Sequence, residues 1–172
     1  EFVVGRAGEV LFHTTTQAGV VRHTERHIHH DPPLGSEVDE LSADVREIYA
    51  AAGPAHMSAQ VTHMIAVAGT ATSMSAIDQR LEPYDPERVH GSRVSLATCE
   101  RLCDELALRT DAERRAVPGL HPDRAPTIVA GAALLIEAMH AFGLTGFEVS
   151  EHDILYGVAL RAAGSPSPLT GP

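Results

Sequence analysis

Val61-Thr62-His63-Met64-Ile65-Ala66-Val67-Ala68-Gly69-Thr70-Ala71-Thr72-Ser73-Met74 is the stretch that decides the fold. A mostly apolar run of strand length meets Ala-Gly-Thr, and small, helix-compatible residues follow without a proline. The pattern predicts a buried strand over Val61–Val67, a tight glycine turn, and a helix over Thr70–Leu81. His63, inside the apolar run, reads as a hydrogen-bonded core residue. A helix starting at such a turn points unpaired N–H groups and a partial positive charge outward, so the turn can hold a phosphate. The same residues suit an ordinary βα turn, because glycine permits positive φ and threonine caps a helix. The spacing alone leaves both readings open.

Outward from this unit the chain alternates short strands with amphipathic helices. Residues 1–5 and Glu9–Thr15 read as two strands joined by a hairpin turn at Arg6-Ala7-Gly8. Gly19–Ile28 reads as a helix ended by His30-Asp31-Pro32-Pro33. Ser36 is the expected N-cap of a helix Glu37–Ala52, with Val38, Leu41, Val45 and Ile48 at helical spacing and Gly53-Pro54 as its stop. Beyond the central unit, Glu82–Ser92 reads as a loop. Ser95 caps a helix to Leu108 with Leu96, Cys99, Leu102, Cys103 and Leu106 on its apolar face. Asp111–Val117 reads as a short charged helix. Asp123 is expected to cap a longer one, Ala125–Phe142, with Pro126 in its first turn. Gly146–Ser150 is a last strand and Asp153–Ala163 a last helix. The Gly/Ser/Pro-rich tail Gly164–Pro172 reads as disordered. An antiparallel hairpin feeding βα units implies a mixed α/β sheet with helices packed over it, and ligands beyond the carboxyl ends of the strands. Glu1, Gly69 and Ser150–Asp153 are candidates for that rim.

At 172 residues the chain suits one domain or one large subdomain. A formal charge of −10 argues against a general nucleic-acid surface, which needs clustered Lys and Arg. It leaves room for an anionic small substrate in a locally positive cleft. No apolar stretch has the length of a membrane span, and no signal-peptide pattern opens the chain. Cys99 and Cys103, four apart in a helical pattern, read as reduced core side chains and suggest no oxidising compartment, which points to the cytoplasm. The chain opens on Glu1-Phe2-Val3-Val4-Gly5 without a methionine, as a strand already under way, and is expected to be the C-terminal part of a longer protein.

Candidate chemistry lies in three places. His23, His27, His29, His30 and Asp31 cluster, and His23 and His27 stand at a spacing that can chelate zinc. Solvated surface imidazoles are the preferred reading. Arg22 follows Gly19-Val20-Val21 at a helix start, where its guanidinium can reach an anion or pair with Glu25. Arg124 sits just inside a helix cap. A cation beside the positive end of a helix suits a bound anion better than a purely structural role. Gly131, in mid-helix, costs about 1 kcal/mol relative to alanine, and close packing against a neighbour is the usual explanation.

Taken in order, Glu1-Phe2-Val3-Val4-Gly5, Gly19-Val20-Val21-Arg22-His23-Thr24-Glu25, Val67-Ala68-Gly69-Thr70-Ala71-Thr72, Tyr84-Asp85-Pro86, Val89-His90-Gly91, Asp123-Arg124-Ala125, Ile128-Val129-Ala130-Gly131-Ala132 and Val149-Ser150-Glu151 resemble the Ppx/GppA phosphatases. These are the exopolyphosphatases and guanosine pentaphosphate phosphatases of bacteria, and the resemblance looks closest to actinobacterial members. It implies a ribonuclease H-like fold of the actin–hexokinase–Hsp70 superfamily, a mixed sheet with helices on both faces. Residues 1–163 would be the second lobe of a catalytic pair. Glu1 matches the last residue of the family's second phosphate loop, so the first lobe and its water-activating glutamate would be absent. The implied reaction is Mg²⁺-dependent hydrolysis of a terminal phosphoanhydride, of inorganic polyphosphate or of pppGpp to ppGpp, linked to the stringent response. In it Glu1 would be catalytic and hold the metal or its waters. Gly69, Thr70, Arg22 and Arg124 would face the phosphates or nucleotide.

The implied partners are polyphosphate or pppGpp/ppGpp, the absent first lobe and a second copy in a homodimer, with no nucleic acid and no membrane. Many family members carry Arg-Glu-Gly where this chain has Leu155-Tyr156-Gly157, which leaves substrate preference open. A kinase lobe of the same superfamily, or a non-catalytic (p)ppGpp or polyphosphate sensor, are the alternatives.

Overall fold

A computed structural model describes residues 1–53 and 60–164. Two strands, β1 (Phe2–Arg6) and β2 (Glu9–Thr14), pair antiparallel as a hairpin. Its turn has positive φ at both Ala7 (51°) and Gly8 (86°), the combination whose twist matches that of the flanking strands. Helices α1 (Val20–His27) and α2 (Gly35–Ala52) follow. The second sheet has the order β3-β5-β4, with β3 (Ile65–Val67) parallel and β4 (Arg93–Ser95) antiparallel to β5 (Gly146–Ser150). Around it lie α3 (Ala68–Asp78), the turn α4 (Pro86–Val89), α5 (Leu96–Ala107), the four-residue α6 (Asp111–Arg114), a 3₁₀ turn at Pro122–Arg124, α7 (Ile128–Phe142) and α8 (Ile154–Ala162). The mixed α/β architecture is the expected one. The backbone hydrogen bonds divide it into two sheets, with the hairpin standing beside β3 rather than bonded to it.

α7 is the centre of the packing because it is apolar on nearly all sides. Ile128, Val129, Ala132 and Met139 belong to the main core with α3, α5 and the three-stranded sheet. Ala130, Ala133 and Ala138 face a second cluster built by Leu41, Val45 and Tyr49 of α2, against which Phe2 and Ile28 pack. Its buried charge, Glu137, is held in a two-pronged ion pair by Arg46 of α2, at 2.9 Å from Nε and 2.7 Å from Nη2. Gly131 fits the close-packing reading: a Cβ there would come within 2.7 Å of the Thr70 side chain. Cys99 and Cys103 are buried free thiols, and burial pushes both up to about 12.

The structure corrects several expectations. Val61–Met64 lies outside the strand, which starts at Ile65. β3 is a sheet edge, so Ile65 and Val67 point away from the core and only Ala66 is buried. His63 is exposed and meets the Thr62 hydroxyl rather than the core. α3 begins at Ala68, not Thr70. α2 begins at Gly35, one residue before Ser36. There the Glu37 carboxylate turns back to accept the Leu34 N–H at 2.9 Å, a bond serine was not needed for. Asp123 does not cap the long helix: the His121 ring accepts the Asp123 N–H, and that segment closes as a 3₁₀ turn. Pro126 has no N–H to continue a ladder from that turn, and α7 starts at Ile128. Arg93-Val94-Ser95, with one apolar residue, forms a strand because β5 offers it a free edge. Of the tail expected over 164–172, only Gly164 lies among the described residues.

Candidate functional site

The βα turn that joins β3 to α3 is built differently from its sequence reading. The left-handed residue is Ala68, at φ +69°, and not Gly69. Gly69 serves another purpose. A Cβ at Gly69 would fall 1.6 Å from a terminal nitrogen of Arg124, so the guanidinium rests directly on the glycine backbone in the first turn of α3. Only a residue without a side chain lets the cation come so close. Arg124 makes no side-chain hydrogen bond or ion pair among the described residues, which is unusual for a half-buried arginine. The first-turn amide groups of α3 and this cation create positive potential on one spot.

Arg124 lines a cavity of about 770 Å³ together with Thr72, Ser73, Tyr84, Asp123 and Glu151. Thr72 and Ser73 are buried on α3, and Thr72 donates to the Gly69 carbonyl at 3.2 Å. Across the cavity the Tyr84 phenol donates a short hydrogen bond to Glu151. Burial above all, and the Glu151 carboxylate next, push the Tyr84 phenol up to about 12, against the opposing pull of Thr72 and Arg124. Tyr84 is therefore a fixed donor at neutral pH. Beside Glu151, whose N–H meets the His90 ring, His90, His152 and Tyr156 form a column, with ring centroids 4.3 and 3.8 Å apart, and the second pair is parallel to within 2°. The charges in the cavity are divided. Arg115, Arg124 and His121 contribute positive or titratable nitrogen, while Glu82, Asp123 and Glu151 contribute carboxylates.

A second cavity, of about 430 Å³, lies on the other side of the same turn and is mainly apolar. Glu1, Phe2, Ala68, Thr70, Gly131 and Phe142 are among its walls. Glu1 is exposed, and its carboxylate accepts one hydrogen bond, from the Thr15 hydroxyl at 3.3 Å. One open carboxylate fits Mg²⁺, which takes one or two carboxylates and completes its shell with water and substrate phosphate. Among the described residues no group of three or more His, Cys, Asp or Glu side chains gathers to hold a metal.

The structure thus brings Gly69 together with Arg124 and places Glu1 and Thr70 on the opposite wall of the turn. Arg22 joins neither group. Its guanidinium donates to the Gln17 carbonyl at 2.9 Å and to the Gln17 side chain, instead of to Glu25 or a cavity. The histidines are not surface groups as a class. His23 is buried, with Nδ1 beside the Gly19 carbonyl at 3.0 Å, and His23 and His27 converge on Asp44 at 3.6 and 3.0 Å. The spacing that suggested a metal serves instead to join α1 to α2. His30 and the backbone of His29 and Leu34 bind Glu37, and these bonds, His30 foremost, hold its carboxyl down at about 2. Of the rim segment Ser150–Asp153 the structure puts Glu151 in the cavity wall, while Thr72 and Tyr84 stand in the resembling motifs with no role assigned; Tyr84 and Glu151 are 67 residues apart and meet only in the fold.

A family model described as the Ppx/GppA phosphatase family matches residues 1–165. The protein named exopolyphosphatase 2 of Mycobacterium tuberculosis is 36% identical over 169 residues, 95% of this chain and 52% of its own length. A crystal structure described as an exopolyphosphatase-like protein superposes with a TM-score of 0.82 at 29% identity, over 90% of this chain and 51% of that one. A Ppx/GppA family member from Aquifex aeolicus gives 0.81 at 23% identity, over 93% and 52%, and shows the fold alone. The chain spans about half the length of these relatives.

Proposed function

This chain belongs to the Ppx/GppA phosphatase family, and on that premise we propose that it is the second lobe, residues 1–163, of a phosphohydrolase. The whole protein would release terminal phosphate from a phosphoanhydride, from polyphosphate or pppGpp, in the cytoplasm. The observation that carries this reading is the Arg124 guanidinium seated on Gly69 with no hydrogen-bond or ion-pair partner among the described residues, lining a cavity of about 770 Å³. A guanidinium left unpaired beside helix amides is an anion site in waiting. Among the described residues no helix is long and apolar enough to cross a membrane.

The residues present supply binding and orientation. Arg124 and the first-turn amides of α3 would grip phosphoryl oxygens, and Thr70, packed on Gly131, would hold the turn in shape. Tyr84 would fix Glu151. Glu1 would hold Mg²⁺, which when bound offsets the negative charge that builds on the transferred phosphoryl group. The group that prepares the attacking water would come from the first lobe. That lobe has a surface to meet: α8 has no buried residue and presents Ile154, Leu155 and Val158 to solvent. The divided charge of the cavity favours pppGpp over a long polyphosphate. A uniform polyanion would meet Glu82, Asp123 and Glu151 along its length, whereas pppGpp, charged at its 5′ and 3′ phosphates, also offers a neutral guanosine to that side of the cavity.

Steady-state phosphate release by the full-length protein tests the reading. Arg124→Ala is expected to raise KM for pppGpp about tenfold or more with a smaller change in kcat, the pattern of lost ground-state binding. Glu1→Gln is expected to lower kcat by about a hundredfold, and the 172-residue chain alone is expected to release no phosphate. Unchanged KM in Arg124→Ala, or turnover by the isolated chain at the full-length rate, would sink it.

A further inference from the structure

Among the described residues Arg124 has no side-chain hydrogen bond, so its place depends on the backbone that carries it. The segment after α6 is that carrier, and one buried side chain ties it down. Arg114 is 4% exposed although it ends a four-residue helix whose other side chains are largely exposed. Its guanidinium is spent on carbonyls: Nε donates to Ala125 at 3.0 Å, and Nη1 to Arg109 at 2.6 Å and Leu106 at 3.4 Å. Nη2 reaches Asp31 at 3.4 Å. Asp31 also accepts the N–H of Asp111, at 2.7 Å, and so fixes the start of the same short helix.

We propose that Arg114 is a positioning residue for anion binding: it clamps Ala125 and thereby sets the guanidinium of Arg124 on Gly69. This rests on the role given to Arg124 above. Ala125 is the next residue after Arg124, so the Arg114–Ala125 bond is one peptide unit from the Cα that bears the binding cation. Of the other two carbonyls, Leu106 lies in the last turn of α5, a helix whose apolar face is buried in the main core, and Arg109 just beyond its end. The clamp therefore refers Arg124 to a rigid part of the molecule. Lysine cannot replace it, because one ammonium lacks the planar fork needed to reach three carbonyls of two separate segments and the Asp31 carboxylate together. Asp31 gives the cation its carboxylate and ties the loop before α2 to the same point. A positional error of about 1 Å at a binding cation is enough to cost roughly tenfold in affinity.

Tripolyphosphate binding to the 172-residue chain, measured by calorimetry, tests the clamp through a double-mutant cycle. Arg114→Met is expected to weaken binding about tenfold while far-ultraviolet circular dichroism stays unchanged. In an Arg124→Ala background the same substitution is expected to have no further effect on affinity, since there is no guanidinium left to misplace. A purely structural role would lower thermal stability in both backgrounds without removing the difference in binding. Asp31→Asn, which keeps all three carbonyl bonds, serves if Arg114→Met does not fold, with an expected two- to threefold loss that also vanishes beside Arg124→Ala. Equal losses in the two backgrounds, or wild-type affinity in a folded Arg114→Met, would overturn the proposal. If Arg124→Ala itself binds tripolyphosphate like the wild type, the reading of Arg124 as the anion site fails first. A loss in Arg124→Ala without one in Arg114→Met removes the clamp alone.

Discussion

The two walls of the Ala68–Thr70 turn are finished to different degrees. On the Arg124 side a cation lies on bare glycine backbone, and its carrier is held by Arg114, Asp31 and the packing of Gly119. On the Glu1 side the proposed metal-binding carboxylate is exposed and has one hydrogen bond. The strand that bears it is anchored mainly by Phe2, edge-on to Tyr49 and Phe142 at 4.8 and 5.3 Å. Binding geometry belongs to this chain; the environment of Glu1 is left open. If the proposed reaction, with a positioned ion and a positioned water, is right, this asymmetry is the one expected of one half of a shared site. Under the proposed function, the Arg124 wall would grip the phosphate and the Glu1 wall would be completed by the first lobe.

A pair of substitutions puts numbers on the contrast. Gly119 has φ +90°, and a Cβ there would fall 2.2 Å from the Ala76 carbonyl oxygen, a backbone atom that cannot swing away. Gly119→Ala is expected to cost about 3 kcal/mol in urea denaturation, from positive-φ strain and the forced displacement of α3. Phe2→Ala, on the other wall, loses two edge-to-face contacts of a half-buried ring and is expected to cost about 1.5 kcal/mol. If Phe2→Ala is the more damaging, the Glu1 side is the better built and the comparison inverts.

What the sequence makes legible follows from which forces are local. The amphipathic period of α2 and α5, the Ser95 cap and the packing glycine at Gly131 depend on neighbours along the chain, and each stands where the sequence puts it. The Ala-Gly-Thr turn was legible as a turn, but its strain lies one residue earlier, because Gly69 is reserved for an arginine 55 positions away. Arg114 sits in Asp111–Val117, which reads only as a short charged helix. Its burial comes from carbonyls at Leu106, Arg109 and Ala125, which no periodicity reports. His23 is the same case: Asp44 on the next helix, not its own spacing, decides where it points. Arg22, placed by its position after Gly19, is diverted by Gln17, five residues back.

Acid separates the two walls in another way. Glu37 is held at about 2 in the folded chain against 4.5 for an ordinary glutamate, first by His30, then by the backbone of Leu34 and His29. A folded-state value below the unfolded one means that its contribution is complete above about 4.5 and is lost as pH falls toward 2. The loop it holds carries Asp31, so the Arg124 wall is the acid-sensitive one. His30→Ala is expected to move the midpoint of acid unfolding, followed by tyrosine fluorescence, to higher pH. An unchanged midpoint would mean that Glu37 does not anchor this loop.

Gly69→Ala is the smallest change in stability and the sharpest test of the contrast. The new methyl group collides with the far end of Arg124, which is flexible, so the guanidinium can leave without disturbing the core. The fold is expected to lose less than about 1 kcal/mol, since Gly69 itself has no positive φ to relieve. Tripolyphosphate affinity is expected to fall nearly as far as in Arg124→Ala, because the cation is still present but displaced from the amides that work with it. Retained affinity would show that charge alone suffices and that the close seat on glycine has no part in binding. A large stability loss with retained affinity would place Gly69 with Gly119, as a packing residue of α3. Only an affinity loss in a stable variant keeps the two walls distinct and the close seat of Arg124 on Gly69 a part of the proposed anion site.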